Sequence, residues 1–156
     1  METNDIMPHW NQVEEVELVY RTKVKASQRP KIASVKALYE LLLEGWNKDK
    51  IELLEEFKVV YMNYAHKVLS VSTLSQGGVS ATVADPKIIF ATALKRNASV
   101  IALAHNHPSG NIKPSRHDEA MTNKLKQGAA FLDITILDHI IISSEGYFSF
   151  ADEGLL

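Results

Sequence analysis

A short apolar run near residue 100 restricts the possible folds of this chain more than any other segment. Residues 100–104 read VIALA, which is typical of a strand buried on both faces. A helix is predicted before it, because Asp85-Pro86 is a strong start for the stretch to residue 97. A second helix is predicted after it, opening at Ser115 and stopping near Gly128. A buried strand between two helices predicts an α/β domain.

The rest of the chain supplies further strands and one more helix. Partial alternation over residues 13–24 predicts a strand, and Ser34 predicts the cap of a helix that ends at Gly45. The runs at 57–64 and 68–75 predict a hairpin, and the runs at 134–137, 140–143 and 147–150 predict three more strands. We therefore expect a single-domain mixed β-sheet flanked by helices over residues 13–156, after a lead-in over residues 1–12.

Composition excludes several classes of protein. The chain has 156 residues, of which 46% are apolar and 23% charged, enough for one domain with a sizeable core. It has no cysteine, which excludes disulfides, thiolate zinc sites and cysteine nucleophiles. A net charge of -2 argues against a protein whose main work is gripping nucleic-acid phosphates. A polar N-terminus and the lack of an apolar run of about 20 residues predict no membrane association and a cytoplasmic location.

Two histidines lie where the buried strand ends. Side chains two apart on a strand point the same way, so His105 and His107 can aim at one point while Asn106 points away. Asp118 falls in the first turn of the next helix if Ser115 is its cap. Two imidazoles and one carboxylate, with a fourth position left for water, form the ligand pattern of a catalytic zinc site.

Each part of this pattern also has a purely structural interpretation. An H-x-H spacing is short and common, and histidines in a loop often only hydrogen-bond locally. Ser115 and Asp118 form the S-x-x-D pattern of a helix cap, which is compatible with a ligand role. His117 should leave the helix about 100° from Asp118 and is expected on the surface.

The fuller string around these residues, HNHPSGNIKPSRHD, resembles a known signature. It matches the H-x-H-x7-S-x2-D pattern of the JAMM (JAB/MPN) metalloprotease domains and closely resembles the bacterial RadC family. Other stretches look alike too, among them DPKIIFATALKRNAS, LDHIIIS and YFSFADEGLL, so the resemblance covers roughly residues 14–156. It implies a JAB/MPN, cytidine-deaminase-like architecture. RadC proteins carry a helix-hairpin-helix region before this domain, and the present sequence starts almost at the domain.

The resemblance also implies roles for individual residues. It implies one Zn²⁺ held by His105, His107 and Asp118, with Ser115 stabilising an oxyanion. The family pattern E-x-F places the general base at Glu55, on the same strand face as Phe57. Glu56 is kept as the fallback, and composition alone would make either glutamate a solvated charge.

Three kinds of function follow. The first is a zinc metallopeptidase that cleaves a peptide or isopeptide bond in a peptide or protein substrate. The second is a nucleic-acid accessory protein associated with DNA repair, and the third is a non-catalytic interaction module. Candidate nucleic-acid contacts are Lys23, Lys25, Arg29, Lys31, Lys113 and Arg116.

Two further features keep alternatives open. Asp138-His139 could support a ligand, form a turn between strands or be a satisfied buried pair. Asn106 could orient its loop or contact substrate. The sequence specifies neither the substrate nor the oligomeric state.

Overall fold

One five-stranded sheet with helices on both faces forms this protein. The computed structural model describes residues 17–77 and 84–156. In chain order the elements are α1 (Val35–Glu44), β1 (Glu56–Met62), β2 (Val68–Gln76), α2 (Pro86–Lys95), β3 (Val100–Asn106), α3 (Arg116–Phe131), β4 (Thr135–Ile142) and β5 (Tyr147–Ser149), with a single 3₁₀ turn at Ala26–Gln28 before them. The prediction of a single-domain mixed sheet flanked by helices is confirmed.

The strand order is β2-β1-β3-β4-β5. Only β3 and β4 run parallel, with α3 as the crossover between them, and the other neighbours are antiparallel. One face packs on α1 through Leu38 and Leu42, and the other packs on α2 and α3 through Ile89 and Leu125. The central strand β3 is buried along its whole length, as its apolar sequence predicts.

All three helices begin at the predicted caps. The Ser34 side chain accepts a hydrogen bond from the Ala37 N–H at 3.1 Å, and the Asp85 side chain accepts one from the Lys87 N–H at 2.9 Å. Ser115 and Asp118 form a complete capping box, in which each side chain accepts from the backbone of the other. The start of α3 is thereby fixed relative to the end of β3.

The strand predicted over residues 13–24 is wrong where it can be assessed. Residues 17–24 are not in a strand. Leu18, Val19 and Tyr20 are exposed, so the alternation of apolar and polar residues does not correspond to a buried and an exposed face. The Arg29 guanidinium holds this segment by donating to Thr22 Oγ1 at 2.6 Å and to the Val24 carbonyl at 3.2 Å. Residues 13–16, the lead-in at 1–12 and residues 78–83 lie outside the described residues.

Two predicted boundaries also differ from the structure. Asp138 and His139 do not separate two strands, because β4 runs without a break through both. Each polar side chain has buried hydrogen-bond partners, so neither needs a turn to reach water. The helix α3 passes through Gly128 to Phe131. The glycine serves packing rather than termination, since a Cβ there would lie 2.8 Å from Cε2 of Phe90.

Within the ranges 17–77 and 84–156, we find no helix both long and apolar enough to cross a bilayer.

Candidate metal centre

Three predicted ligands meet at the end of β3. His105 is the second-to-last residue of β3, His107 follows the end of that strand, and Asp118 lies in the first turn of α3. The two Nε2 atoms are 3.0 Å apart. Asp118 Oδ1 lies 3.2 Å from Nε2 of His105, and Asp118 Oδ2 lies 3.7 Å from Nε2 of His107. The geometry therefore brings together the three side chains that the spacing predicted.

Two of these separations are close to those of a tetrahedral zinc site. Bonds of about 2.0–2.2 Å at tetrahedral angles put neighbouring ligand atoms about 3.3–3.5 Å apart. The candidate ligand atoms all lie within 4.8 Å of one another. The two shortest separations, 3.0 and 3.2 Å, are near the tetrahedral spacing. His107 Nδ1–H donates to the carbonyl of Asn111 at 2.6 Å, so the lone pair of a neutral His107 is on its Nε2. Lone pairs that converge in this way suit a cation between them.

Electrostatics favours an ionised carboxylate at this point. Burial alone would raise the pKa of Asp118, but its contacts with the imidazoles of His105 and His107 and its hydrogen bond from Ser115 outweigh burial and hold that pKa well below its usual range. The pKa of His107 is raised, chiefly by its hydrogen bond to Asp118 and further by the charge of Glu55.

Ser115 connects the helix cap with the ligand. Its hydroxyl donates to Asp118 Oδ2 at 2.6 Å, and its backbone N–H donates to the same oxygen at 2.7 Å. The capping and ligand interpretations of Asp118 are thus compatible, because Oδ2 takes the cap while Oδ1 faces His105. Ser115 itself is exposed beside the cluster.

Comparison with known proteins decides the family. The model of the RadC-like JAB domain matches residues 32–155. The chain belongs to the RadC family. The "UPF0758 protein" of Flavobacterium johnsoniae is 44% identical over 101 residues, which are 65% of this chain and 44% of that protein. The "UPF0758 protein" of Porphyromonas gingivalis is 48% identical over 103 residues, which are 65% of this chain and 45% of that one.

A shorter relative matches over more of its own length. The "UPF0758 protein YeeS" of Escherichia coli is 40% identical over 102 residues, which cover 65% of this chain and 69% of YeeS. The chain spans less than half the length of the first two relatives. The matches therefore identify the RadC-like JAB domain and leave the activity of the longer proteins as a separate question.

The two candidate bases of this RadC domain face opposite ways. Phe57 pairs with His105 across β1 and β3, and strand parity puts Glu55, just before β1, on the same face as Phe57. Glu55 is half-buried there. Glu56 is buried on the other face, where it forms an ion pair with Lys58 at 3.1 Å. Position alone favours Glu55 over Glu56 as a group that can act at the metal centre.

Asn106 fastens the segment that leads to Glu55. Its Nδ2 donates to the carbonyls of Ile51 at 2.6 Å and Leu54 at 2.9 Å, and its Oδ1 accepts from the Glu56 N–H at 2.7 Å. The side chain is fully buried and points away from the two histidines, as strand parity predicts. Of the two roles left open for Asn106, the structure supports orienting a loop.

Asp138-His139 resolves into two buried groups on opposite faces. His139 is fully buried, and its Nε2 lies 2.9 Å from Nδ1 of His105. Burial lowers the pKa of His139 well below its usual value. Asp138 instead accepts from Ser149 Oγ at 2.6 Å and from the Ala151 N–H at 3.0 Å. Only the histidine touches the candidate ligands.

Sequence reasoning missed two contributors to the centre. Thr122 contacts His139, and the carbonyl of Asn111 orients His107. Thr122 lies one helical turn after Asp118, so the same-face spacing of α3 could have indicated it. A main-chain carbonyl in a loop has no signal in the sequence. His117 is exposed, as predicted, and is not part of the ligand cluster.

Proposed function

We propose that this RadC domain is a zinc-dependent hydrolase of the JAMM type that cleaves a peptide or isopeptide bond. The observation that carries the proposal is that Nε2 of His105 lies 3.0 Å from Nε2 of His107 and 3.2 Å from a carboxylate oxygen of Asp118, close to the spacing that zinc ligands adopt. Family membership adds support, since the match is to a JAB domain.

In this proposal each side chain has one task. Zinc, when bound, lowers the pKa of a coordinated water toward about 7 and polarises a carbonyl. His105, His107 and Asp118 hold the ion. Glu55 takes a proton from the attacking water and returns it to the leaving amine. Ser115 turns its exposed hydroxyl from Asp118 toward the developing oxyanion.

A cavity bordered by one of the proposed ligands, His107, offers space for substrate. It encloses about 260 Å³ and is bordered by His107, Pro108 and Ser109 on one side and by Ile51 and Ser144 on the other. The loop after β3 and the turn between β4 and β5 form its walls. A chain segment lying in this cavity would bring an amide bond next to His107, which is consistent with a peptide-like substrate.

The test measures zinc content and hydrolysis together. Purified protein loaded with zinc is screened against peptide libraries and ubiquitin-like conjugates. We expect one zinc per chain, and we expect Glu55→Gln to keep the zinc while turnover falls about 10²–10⁴-fold, the usual contribution of a general base. Glu56→Gln is the matched control and should keep most of the turnover.

Three results would contradict the proposal or part of it. If Glu55→Gln kept full turnover and Glu56→Gln lost it, the general base would be Glu56. Protein that takes up no zinc would refute the hydrolase. Stoichiometric zinc with no cleavage of any substrate would favour the interaction module instead.

A basic groove favours nucleic acid as a second candidate partner. The groove encloses about 600 Å³, and its cationic lining consists of Arg21, Lys23, Arg29, Lys95 and Arg96. Over residues 17–77 and 84–156, none of these five cations has a carboxylate within 4.0 Å. Of the contacts predicted from sequence, Lys23 and Arg29 lie here. Unneutralised positive charge in a groove attracts polyanions in spite of the net charge of -2.

Binding of fluorescent oligonucleotides at low salt tests this second candidate. Single- and double-stranded probes are titrated with wild-type protein and with the double variant Arg21→Glu/Lys23→Glu. The expected result is salt-sensitive binding that weakens at least about 10-fold in the variant. Lys36→Glu, on the exposed side of α1, is the control. Absence of binding at low salt refutes the candidate.

A further inference from the structure

A chain of buried contacts leads from the ligand His105 to the backbone of the ligand Asp118. Nδ1 of His105 lies 2.9 Å from Nε2 of His139, and Nδ1 of His139 lies 2.6 Å from Oγ1 of Thr122. The same Thr122 oxygen lies 2.6 Å from the main-chain carbonyl of Asp118. Residues 105, 139 and 122 are each no more than 1% exposed, so water does not compete for these contacts.

The carbonyl at one end of this chain fixes the direction of every hydrogen bond in it. A carbonyl oxygen only accepts, so the Thr122 hydroxyl donates its single hydrogen to Asp118. The Thr122 oxygen then has only lone pairs left for His139, whose Nδ1 must carry the hydrogen. Over residues 17–77 and 84–156, no carboxylate lies within 4.0 Å of the ring nitrogens of His139. A fully buried imidazole without such a partner is neutral, which makes its Nε2 an acceptor.

The last step reaches the metal centre. His105 donates from Nδ1 to the Nε2 of His139, so the neutral form of His105, which has one hydrogen, presents a lone pair on Nε2. We infer that Thr122 and His139 are positioning residues that select the metal-binding tautomer of His105. The inference rests on the proposed metal site and deepens it, because it names side chains that touch neither metal nor substrate.

The Asp118 carboxylate favours the other tautomer of His105, so the selection matters for metal binding. Asp118 Oδ1 lies 3.2 Å from Nε2 of His105 and, in the metal-free protein, favours a hydrogen on that nitrogen. Such a hydrogen blocks the lone pair and has to be displaced by the metal. The Thr122–His139 chain holds the hydrogen on Nδ1 instead. Without it, part of the binding energy of the metal goes into changing the tautomer.

A merely structural role for His139 predicts something different. Its ring stacks on Phe150 with centroids 4.7 Å apart and contacts Phe57 at 5.8 Å, so it also fills space in the core. Packing depends on shape, whereas tautomer selection depends on the hydroxyl of Thr122. A pair of substitutions at Thr122 separates the two: Thr122→Val keeps the shape and removes the hydroxyl, and Thr122→Ser keeps the hydroxyl and removes a methyl group.

The first measurement is zinc affinity by competition with a chromophoric chelator. Thr122→Val should bind zinc about 10–100-fold more weakly, the usual effect of losing an outer partner of a ligating histidine. Thr122→Ser should stay within a few-fold of wild type. Equal affinity in Thr122→Val and wild type overturns the inference, and so does equal weakening in the two variants.

The second measurement reads the tautomers directly and requires no metal. Nitrogen-15 NMR of the imidazoles in metal-free wild-type protein should show the hydrogen of His105 and of His139 on Nδ1. A hydrogen on Nε2 of His105 overturns the inference even if Thr122→Val fails to fold. Wild-type protein that takes up no zinc refutes the proposed function alone, since the NMR spectrum still decides the tautomer.

Discussion

Two aspartates are buried in the part of the chain that the structure describes, and only one of them has the surroundings of a functional group. Asp118 is 5% exposed and Asp138 is 1% exposed, so burial does not distinguish them. The partners do. Asp138 meets three hydrogen-bond donors, from Ser149 Oγ and the N–H groups of His139 and Ala151. These contacts fasten the end of β5 to β4 and leave nothing for a ligand to satisfy.

Asp118 has donors on one oxygen and imidazole nitrogens in front of it. Ser115 donates two hydrogen bonds to Oδ2 of Asp118. The other oxygen, Oδ1, lies 3.2 Å from Nε2 of His105. The pKa values respond in opposite directions: burial raises that of Asp138, while at Asp118 hydrogen bonds outweigh burial and lower it. The difference teaches that converging acceptors, rather than buried charge as such, indicate a site for a cation.

Zinc affinity should separate the two aspartates most strongly. Asp118→Ala removes a ligand and should weaken zinc binding at least about 100-fold, beyond the loss expected for an outer partner. Asp138→Asn keeps an acceptor for the backbone donors and should leave the affinity within a few-fold of wild type. Chelator competition on both variants measures the contrast. Comparable losses in the two would show that the contrast between these carboxylates is not a contrast of function.

Much of the contrast could be predicted from sequence because it depends on local periodicity. Strand parity aimed His105 and His107 together, and the S-x-x-D cap placed Asp118 in the first turn of α3. The buried strand and the helix starts followed from equally local signals. What failed depended on contacts distant in the chain: Gly128 looked like a helix end, but it marks the close approach of Phe90, 38 residues earlier.

The roles of Asp138, His139 and Thr122 were hidden for the same reason. A polar pair inside an apolar run indicates a turn unless buried partners are known, and those partners come from α3 and from the segment after β5. The strand predicted over 13–24 shows the converse, since its alternation is real but residues 17–24 have no sheet to join in the described part of the chain.

The free energy of unfolding should show the opposite ranking to zinc affinity, with the larger loss on substitution of Asp138. Asp138→Ala leaves buried donors of β4 and of the β5 end without an acceptor, at about 1–3 kcal/mol for each group that water does not reach. We expect the free energy of unfolding of metal-free protein to fall by about 2–4 kcal/mol. Asp118→Ala loses mainly a helix cap, worth about 1 kcal/mol. Urea denaturation in the presence of a chelator measures both, and a larger loss in Asp118→Ala would contradict the structural role given to Asp138.

The smallest expected effect is the pH dependence of stability, and its sign differs between the two aspartates. Asp138 has a folded-state pKa above its ordinary value of 3.8, so the native state binds more protons than the unfolded state just above pH 3.8, and stability falls as the pH rises through that window. Asp118 has a lowered pKa, so its contribution is present above pH 3.8 and is lost as the pH falls below it. Subtracting the metal-free stability curve of Asp138→Asn from that of wild type should leave a difference on the order of 1 kcal/mol that declines with rising pH. The corresponding curve for Asp118→Asn should rise with pH, and two difference curves of the same sign would mean that the two carboxyls sit in equivalent surroundings after all.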